Sequence, residues 1–412
     1  MEEWKEYKLG EVLCEKGYIR GPFGSALKRG DMLNEGIPVY EQQHAIYGKR
    51  DFRYYISKDK YDEMKRFTVY PGDIIISCSG TIGEVSIIKE EDPKGIISQA
   101  LLLLRSKKEV VMPEFLLYFF RTPQGHNSIT SRSSGSVQVN IARRDVIEQI
   151  PLYLPHRKMQ NRIVSILKSL DDKIEVNKRM NDNLEQQAQA LFKSWFVDFE
   201  PFRDQPFVES ELGMIPQGWR VIQLIDIAEI YKNSINPQKQ PQTIFNHYSI
   251  PAFDEGMKPE IQLGEEIKSN KFVITNKITL FSKLNPRIKR VWYVDNLNSN
   301  SICSTEFVPY KAKDESQSSF LYSLINSQGF YDYVMSMVNG ATGSHQRFHP
   351  EESLNYRIAF SYECVSKYCE VMSPIIHQML EKREESRRLA ELRDTLLPRL
   401  MSGEIKVGDV TL

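Results

Sequence analysis

His345 and His349 stand four residues apart, the spacing that puts two imidazoles on one helical face and can hold a metal. No acid lies between them, and they close a glycine-bearing loop, Gly340-Ala-Thr-Gly-Ser-His345, so no metal site is expected. Gly80-Thr-Ile-Gly83 is half of a glycine-rich phosphate loop. It lies between two apolar runs, Asp73–Ser77 and Glu84–Ile88, where a tight hairpin turn accounts for it. Asp73 and Glu84 on those runs are the acids a nuclease would need, but acids on a buried hairpin are more often turn and edge residues, and no nuclease is expected. Asp171-Asp172 reads as helix-start capping. There is no Walker loop and no HExxH, and Asn285-Pro286 lacks the following Pro-aromatic pair of amino-methyltransferases. Catalysis by this chain is not expected, and neither is a bound cofactor.

Polar and basic loops at equivalent places in the two halves remain. The first half has Arg20, Ser25 and Lys28, then Ser79 and Thr81. These are followed by the stretch 132–140, with Arg132, Ser134, Ser136, Gln138 and Asn140, and then by Arg143. The second has Lys283, Asn285, Arg287 and Lys289 in an acid-free loop, then Thr342, His345, Gln346 and Arg347. Arg and Lys fork onto guanine, Gln and Asn onto adenine, and Ser, Thr and Lys hold phosphates. Recurrence in two copies points to DNA reading. The alternative is a coiled-coil scaffold whose heads bind proteins.

Two long helices must position these loops. From Ile163 to Phe196 there is no Gly or Pro. Seam positions fall at Ile163, Leu167, Leu170, Ile174, Asn177, Asn181, Leu184, Ala188, Leu191 and Trp195, in alternating steps of three and four. The same seam returns 205 positions later as Tyr368, Met372, Ile375, Met379, Lys382, Ser386, Leu389, Arg393, Leu396 and Leu400. Antiparallel pairing has one register that sets polar against polar: Asn177 to Ser386, Asn181 to Lys382, Ile174 to Leu389 and Leu184 to Met379. Any other buries polar groups against apolar ones, at roughly 1–3 kcal/mol each. Ser373-Pro374 is expected to start the second helix, and Pro398 with Gly403 to end it.

The repeat extends beyond the helices. Trp4, Leu9 and Val12 match Trp219, Leu224 and Ile227, and Phe115-Leu-Leu-Tyr118 matches Phe320-Leu-Tyr-Ser323. The expected fold is α+β, with tandem α/β units at 1–155 and 218–362, helix regions at 156–200 and 363–412, and a linker at 201–217. The helices would form an antiparallel coiled coil with pseudo-twofold symmetry. Ile96–Leu104 reads as one buried strand. Charge is balanced, at 54 basic and 54 acidic residues, so DNA binding would rest on local patches. No apolar run is long enough to span a bilayer, and no signal peptide is expected from the charged stretch Met1-Glu-Glu-Trp-Lys. Five cysteines without a CxxC suit reduced thiols, so a cytoplasmic location is expected.

This layout resembles the specificity subunit of type I restriction–modification systems. Phrases that carry the likeness are Gly72-Asp-Ile-Ile-Ile-Ser77 with Thr81-Ile-Gly83, Asp171-Asp-Lys-Ile174 and Leu191-Phe-Lys-Ser-Trp-Phe196. Others are Leu212-Gly-Met-Ile-Pro-Gln-Gly-Trp219, Ser282-Lys-Leu-Asn-Pro-Arg287 and Leu392-Arg-Asp-Thr-Leu-Leu-Pro-Arg-Leu-Met-Ser-Gly403. The resemblance implies two target recognition domains, each reading half of a bipartite asymmetric site in double-stranded DNA. It implies helices that set the gap and dock two modification subunits. S-adenosylmethionine would sit in those partners, and ATP with Mg²⁺ in restriction subunits. A helix of about 27 residues is roughly 40 Å long, close to one DNA turn of roughly 34 Å. Lengthening both helices should therefore lengthen the gap.

Overall fold

Runs of Ile, Leu and Val that are buried on both faces supply the central strands, and two helices of 40 residues each carry the seam. A computed structural model describes residues 4–23, 26–130, 141, 143–295, 300–338 and 346–410. The chain forms two compact units, residues 1–174 with 388–412 and residues 175–387. Each unit therefore takes a share of both long helices, α2 (Arg157–Phe196) and α4 (Tyr362–Met401).

The first unit contains β1 (Leu13–Arg20), β2 (Ile37–Tyr40), α1 (Gln42–Ile46), β3 (Ile74–Ser77), β4 (Val85–Ile87), β5 (Ile96–Ile97) and β6 (Leu101–Ser106). An antiparallel sheet has the order β1-β6-β3-β4. A smaller sheet joins Tyr55–Ile56 to β2, which pairs with β5 in parallel. The stretch Ile96–Leu104, expected as one strand, is thus two strands in different sheets. The turn between them is tight. Leu101 N–H donates to Ser98 O, and a Cβ on Gly21 would come within 1.9 Å of that same oxygen.

The second unit repeats this plan with β7 (Ala228–Ile230), β8 (Ile244–Tyr248), α3 (Ile250–Asp254), β9 (Ile278–Ser282), β10 (Val291–Val294), β11 (Ser301–Ser304) and β12 (Phe307–Ala312). Its antiparallel sheet has the matching order β7-β12-β9-β10, and β8 again pairs in parallel with β11. The pair Arg220–Gln223 with Arg357–Phe360 matches Lys5–Lys8 with Pro151–Leu154. The duplication seen in the sequence is a duplication of topology. The segment expected as a plain linker holds a hairpin, Phe207–Ser210 against Gly213–Pro216. Its turn is closed by Ser210 Oγ–H to Gly213 O at 2.7 Å, with Gly213 at φ +90°.

The helices run antiparallel in both units. In the first, Ile163, Leu167 and Leu170 share a core with Leu396 and Leu400. There Arg393 Nη1 also donates to Asp171 Oδ1 at 2.8 Å. In the second, Phe192 and Phe196 meet Tyr368 at 6.2 and 5.1 Å between ring centroids. At this end Phe192 and Phe196 are the buried residues, while Leu191 and Trp195 are only partly so. A 3.5-residue pattern drifts around a 3.6-residue helix, so the stripe shifts by one position.

α2 begins at Arg157, where buried Gln160 accepts from Met112 N–H and donates to Val110 O and Pro155 O. Expectation is overturned at both prolines of α4. α4 begins at Tyr362 and runs through both Pro374 and Pro398. Val365, Tyr368, Cys369 and Met372 bury in the second unit's core ahead of Pro374. Four such side chains outweigh the roughly 3 kcal/mol that an internal proline costs. Gly403, at φ +73°, lies two residues beyond the end.

At the polar layer Asn177 is fully buried, and neither its amide nitrogen nor its oxygen has a partner. Ser386 Oγ donates instead to Lys382 O on its own helix, and Lys382 Nζ pairs with Glu385. Asn181 is half-buried, with its Oδ1 unpartnered. An unsatisfied buried amide is a net cost. Asn177→Leu is expected to raise the urea midpoint, by an amount equivalent to about 1–3 kcal/mol. A lower midpoint would show that this amide is satisfied.

Candidate nucleic-acid interface

In the first unit β3 feeds the loop Cys78–Gly83. Ser77 N–H donates to Glu84 O at 2.9 Å, Gly83 N–H to Ser77 O at 3.0 Å, and Glu84 N–H to Ser77 Oγ at 3.0 Å. Gly80 turns the tip at φ +66°. Ser79 is half-buried, and its Oγ–H donates to Gln42 Oε1 at 3.3 Å. Thr81 is exposed, and its carbonyl accepts from Gln42 Nε2 at 3.2 Å. Arg20, at the end of β1, lies 5.9 Å from the Phe23 ring and against the Cys78 thiol, with its Nη1 buried and unpartnered. Burial pushes that thiol up to about 12. Lys28 and Arg143 are exposed. Ser25, Arg132, Ser134, Ser136, Gln138 and Asn140 lie outside the described residues.

In the second unit the basic loop after β9 and the segment at Gln346 come together. Asn285, in the left-handed region at φ +47°, donates its N–H to Gln346 O at 3.0 Å. Lys283 N–H donates to Glu306 O at 2.9 Å, and Arg347 forks onto the Glu306 carboxylate at 3.0 and 2.9 Å. Lys289 is half-buried, donates to Asn326 O, and is held below its ordinary pKa by burial. Gln346 is 8% exposed and its Oε1 has no partner; Asn285 Oδ1 is likewise unpartnered. Lys283 is half-buried and Arg287 is exposed, with its carbonyl accepting from Tyr331 O–H at 3.2 Å. Thr342 and His345 lie outside the described residues.

Charge is therefore distributed unevenly. Arg347 and Lys289 are engaged within the fold, whereas Arg20, Lys28, Arg143, Lys283 and Arg287 form no ion pair among the described residues. Sequence reasoning missed Gln42, Asp254 and Glu306, which contact the loops from distant positions. Among the described residues, no cluster of His, Cys, Asp and Glu could hold a metal. Asp73, one of the two acids considered for a nuclease, is 1% exposed, forked by Arg105 at 2.8 and 2.7 Å, and accepts from Tyr70 N–H. Among the described residues, no helix is long and apolar enough to cross a membrane.

Residues 1–186 match the family described as "Type I restriction modification DNA specificity domain". The chain is 25% identical over 355 residues to the type I restriction enzyme MjaIX specificity subunit of Methanocaldococcus jannaschii, covering 83% of this chain and 80% of that one. It is 23% identical to the HindI specificity subunit of Haemophilus influenzae, covering 98% and 100%. The crystal structure of a type I restriction-modification S subunit from M. genitalium shares the fold. Its TM-score is 0.59 at 14% identity, over 97% of this chain and 96% of that one.

Proposed function

We propose that the chain is a specificity subunit of a type I restriction–modification system, a DNA sequence reader whose two units each recognise one half of a bipartite, asymmetric site; the family match over residues 1–186 and the two relatives named above support this reading. The observation that carries this reading is a shared strand order with unlike tip loops. β3 and β9 are equivalent central strands, yet one ends in Ser79-Gly-Thr81 and the other in Lys283 to Lys289. Equivalent placement gives both loops the same job, and different side chains give them different bases to read. α2 and α4 set the gap and dock two modification subunits. Those partners bind S-adenosylmethionine and methylate adenine, while restriction subunits use ATP and Mg²⁺. The complex works in the cytoplasm, and this chain supplies recognition without a catalytic step.

Methylome sequencing of the host with and without the gene tests this. The expected result is a bipartite adenine-methylated motif, with two different half-sites, that disappears with the chain. A palindromic motif, or none that depends on the chain, would overturn the reading.

A further inference from the structure

Each unit sets a short helix against its tip loop, and the two copies do so with unlike side chains. In the first, α1 follows β2 and rests on β4, where Ser86 Oγ–H donates to His44 O at 2.8 Å. From the first turn of α1, Gln42 spans the loop tip, accepting from Ser79 Oγ and donating to Thr81 O. In the second, α3 follows β8 and rests on β10, with Phe253 edge-on to Trp292 at 5.8 Å. From its last residue, Asp254 takes a fork from Arg290, at 2.7 and 2.8 Å. Arg290 is 8% exposed, and its carbonyl accepts from Ser282 N–H at 3.0 Å, which closes the base of the loop Lys283–Lys289.

We infer that Gln42 and Asp254 are positioning residues for sequence specificity, each holding its own unit's loop in the form that meets base edges. The inference rests on the recognition reading above. The same element performs the same task twice, by amide bonds in one copy and an ion pair in the other. Packing alone would not require either polar contact, because α1 is also held by the Ser86–His44 bond and α3 by the Phe253–Trp292 ring contact, both away from the loops. A charged fork is stronger than two neutral bonds of 3.2–3.3 Å, so the second loop is held more firmly. A well-placed bidentate contact discriminates against a wrong base by roughly 5- to 150-fold. A displaced loop forfeits part of that ratio in its own half-site and leaves the other untouched.

The test is methylome sequencing of hosts carrying the wild-type chain, Gln42→Ala or Asp254→Asn, scoring sites with one substitution in either half. Gln42→Ala is expected to lower the discrimination ratio about 10-fold in the first half-site only, and Asp254→Asn about 100-fold in the second only. Asp254→Glu, which retains the carboxylate, should recover much of the second ratio. Chain abundance is measured alongside. If Asp254→Asn does not accumulate, because it leaves the Arg290 charge buried, Gln42→Ala decides alone. Unchanged ratios, or relaxation of both half-sites equally, would overturn the positioning role. A wild-type chain with no bipartite motif would instead sink the recognition reading itself.

Discussion

Four residues inserted into both α2 and α4 lengthen the gap between the half-sites by about two base pairs. Four residues add about 6 Å of helix, and a base pair rises about 3.4 Å. Suitable points are after Leu184 in α2 and before Met379 in α4, which face one another in the expected register. Four is also one of the two steps in the seam, so an insert carrying one Leu continues the apolar stripe as a stutter with slight local unwinding. Insertion into one helix alone puts the two seams out of register, and the protein should be lost from the cell. The methylated motif reports the gap directly. A double insertion that accumulates normally and keeps the original gap would show that helix length is not the ruler.

Raising salt from 50 to 200 mM weakens DNA binding by roughly 500-fold. This follows from five of the candidate interface cations, Arg20, Lys28, Arg143, Lys283 and Arg287, which have no carboxylate partner among the described residues. Each neutralised phosphate contributes about −0.9 to the logarithmic slope, giving about −4.5 for five. Arg287→Ala should reduce the slope by about one. Arg347→Ala should leave it nearly unchanged, because Glu306 already neutralises that guanidinium. Fluorescence anisotropy on a duplex containing the methylated motif measures both. Heads that bound proteins would show a far shallower dependence and no preference for that duplex.

These predictions draw on the two sources differently. The seam behind the first lies almost wholly in the sequence, although each helix runs to 40 residues against the roughly 27 expected from it. The selection of cations behind the second does not, since Lys283, Lys289, Arg290 and Arg347 look alike in a linear reading. Arg290 is claimed by Asp254, 36 positions away, and Arg347 by Glu306, 41 away. Gln42 reaches Ser79 across 37 positions. Nothing near these residues in the chain signals such partners.

Periodicity and repetition were legible because both are written locally. A seam in steps of three and four, returning after 205 residues with its polar middle intact, specifies two similar helices whatever surrounds them. The matched aromatic and aliphatic phrases likewise specify two similar units. Packing decided the rest. Buried Val365, Tyr368 and Met372 carried α4 back past Pro374, and two competing sheets divided Ile96–Leu104. Ser386 bonds along its own helix, leaving Asn177 unpartnered. A residue's type sets what it can bond, but only the folded chain decides which groups come within 3 Å of it.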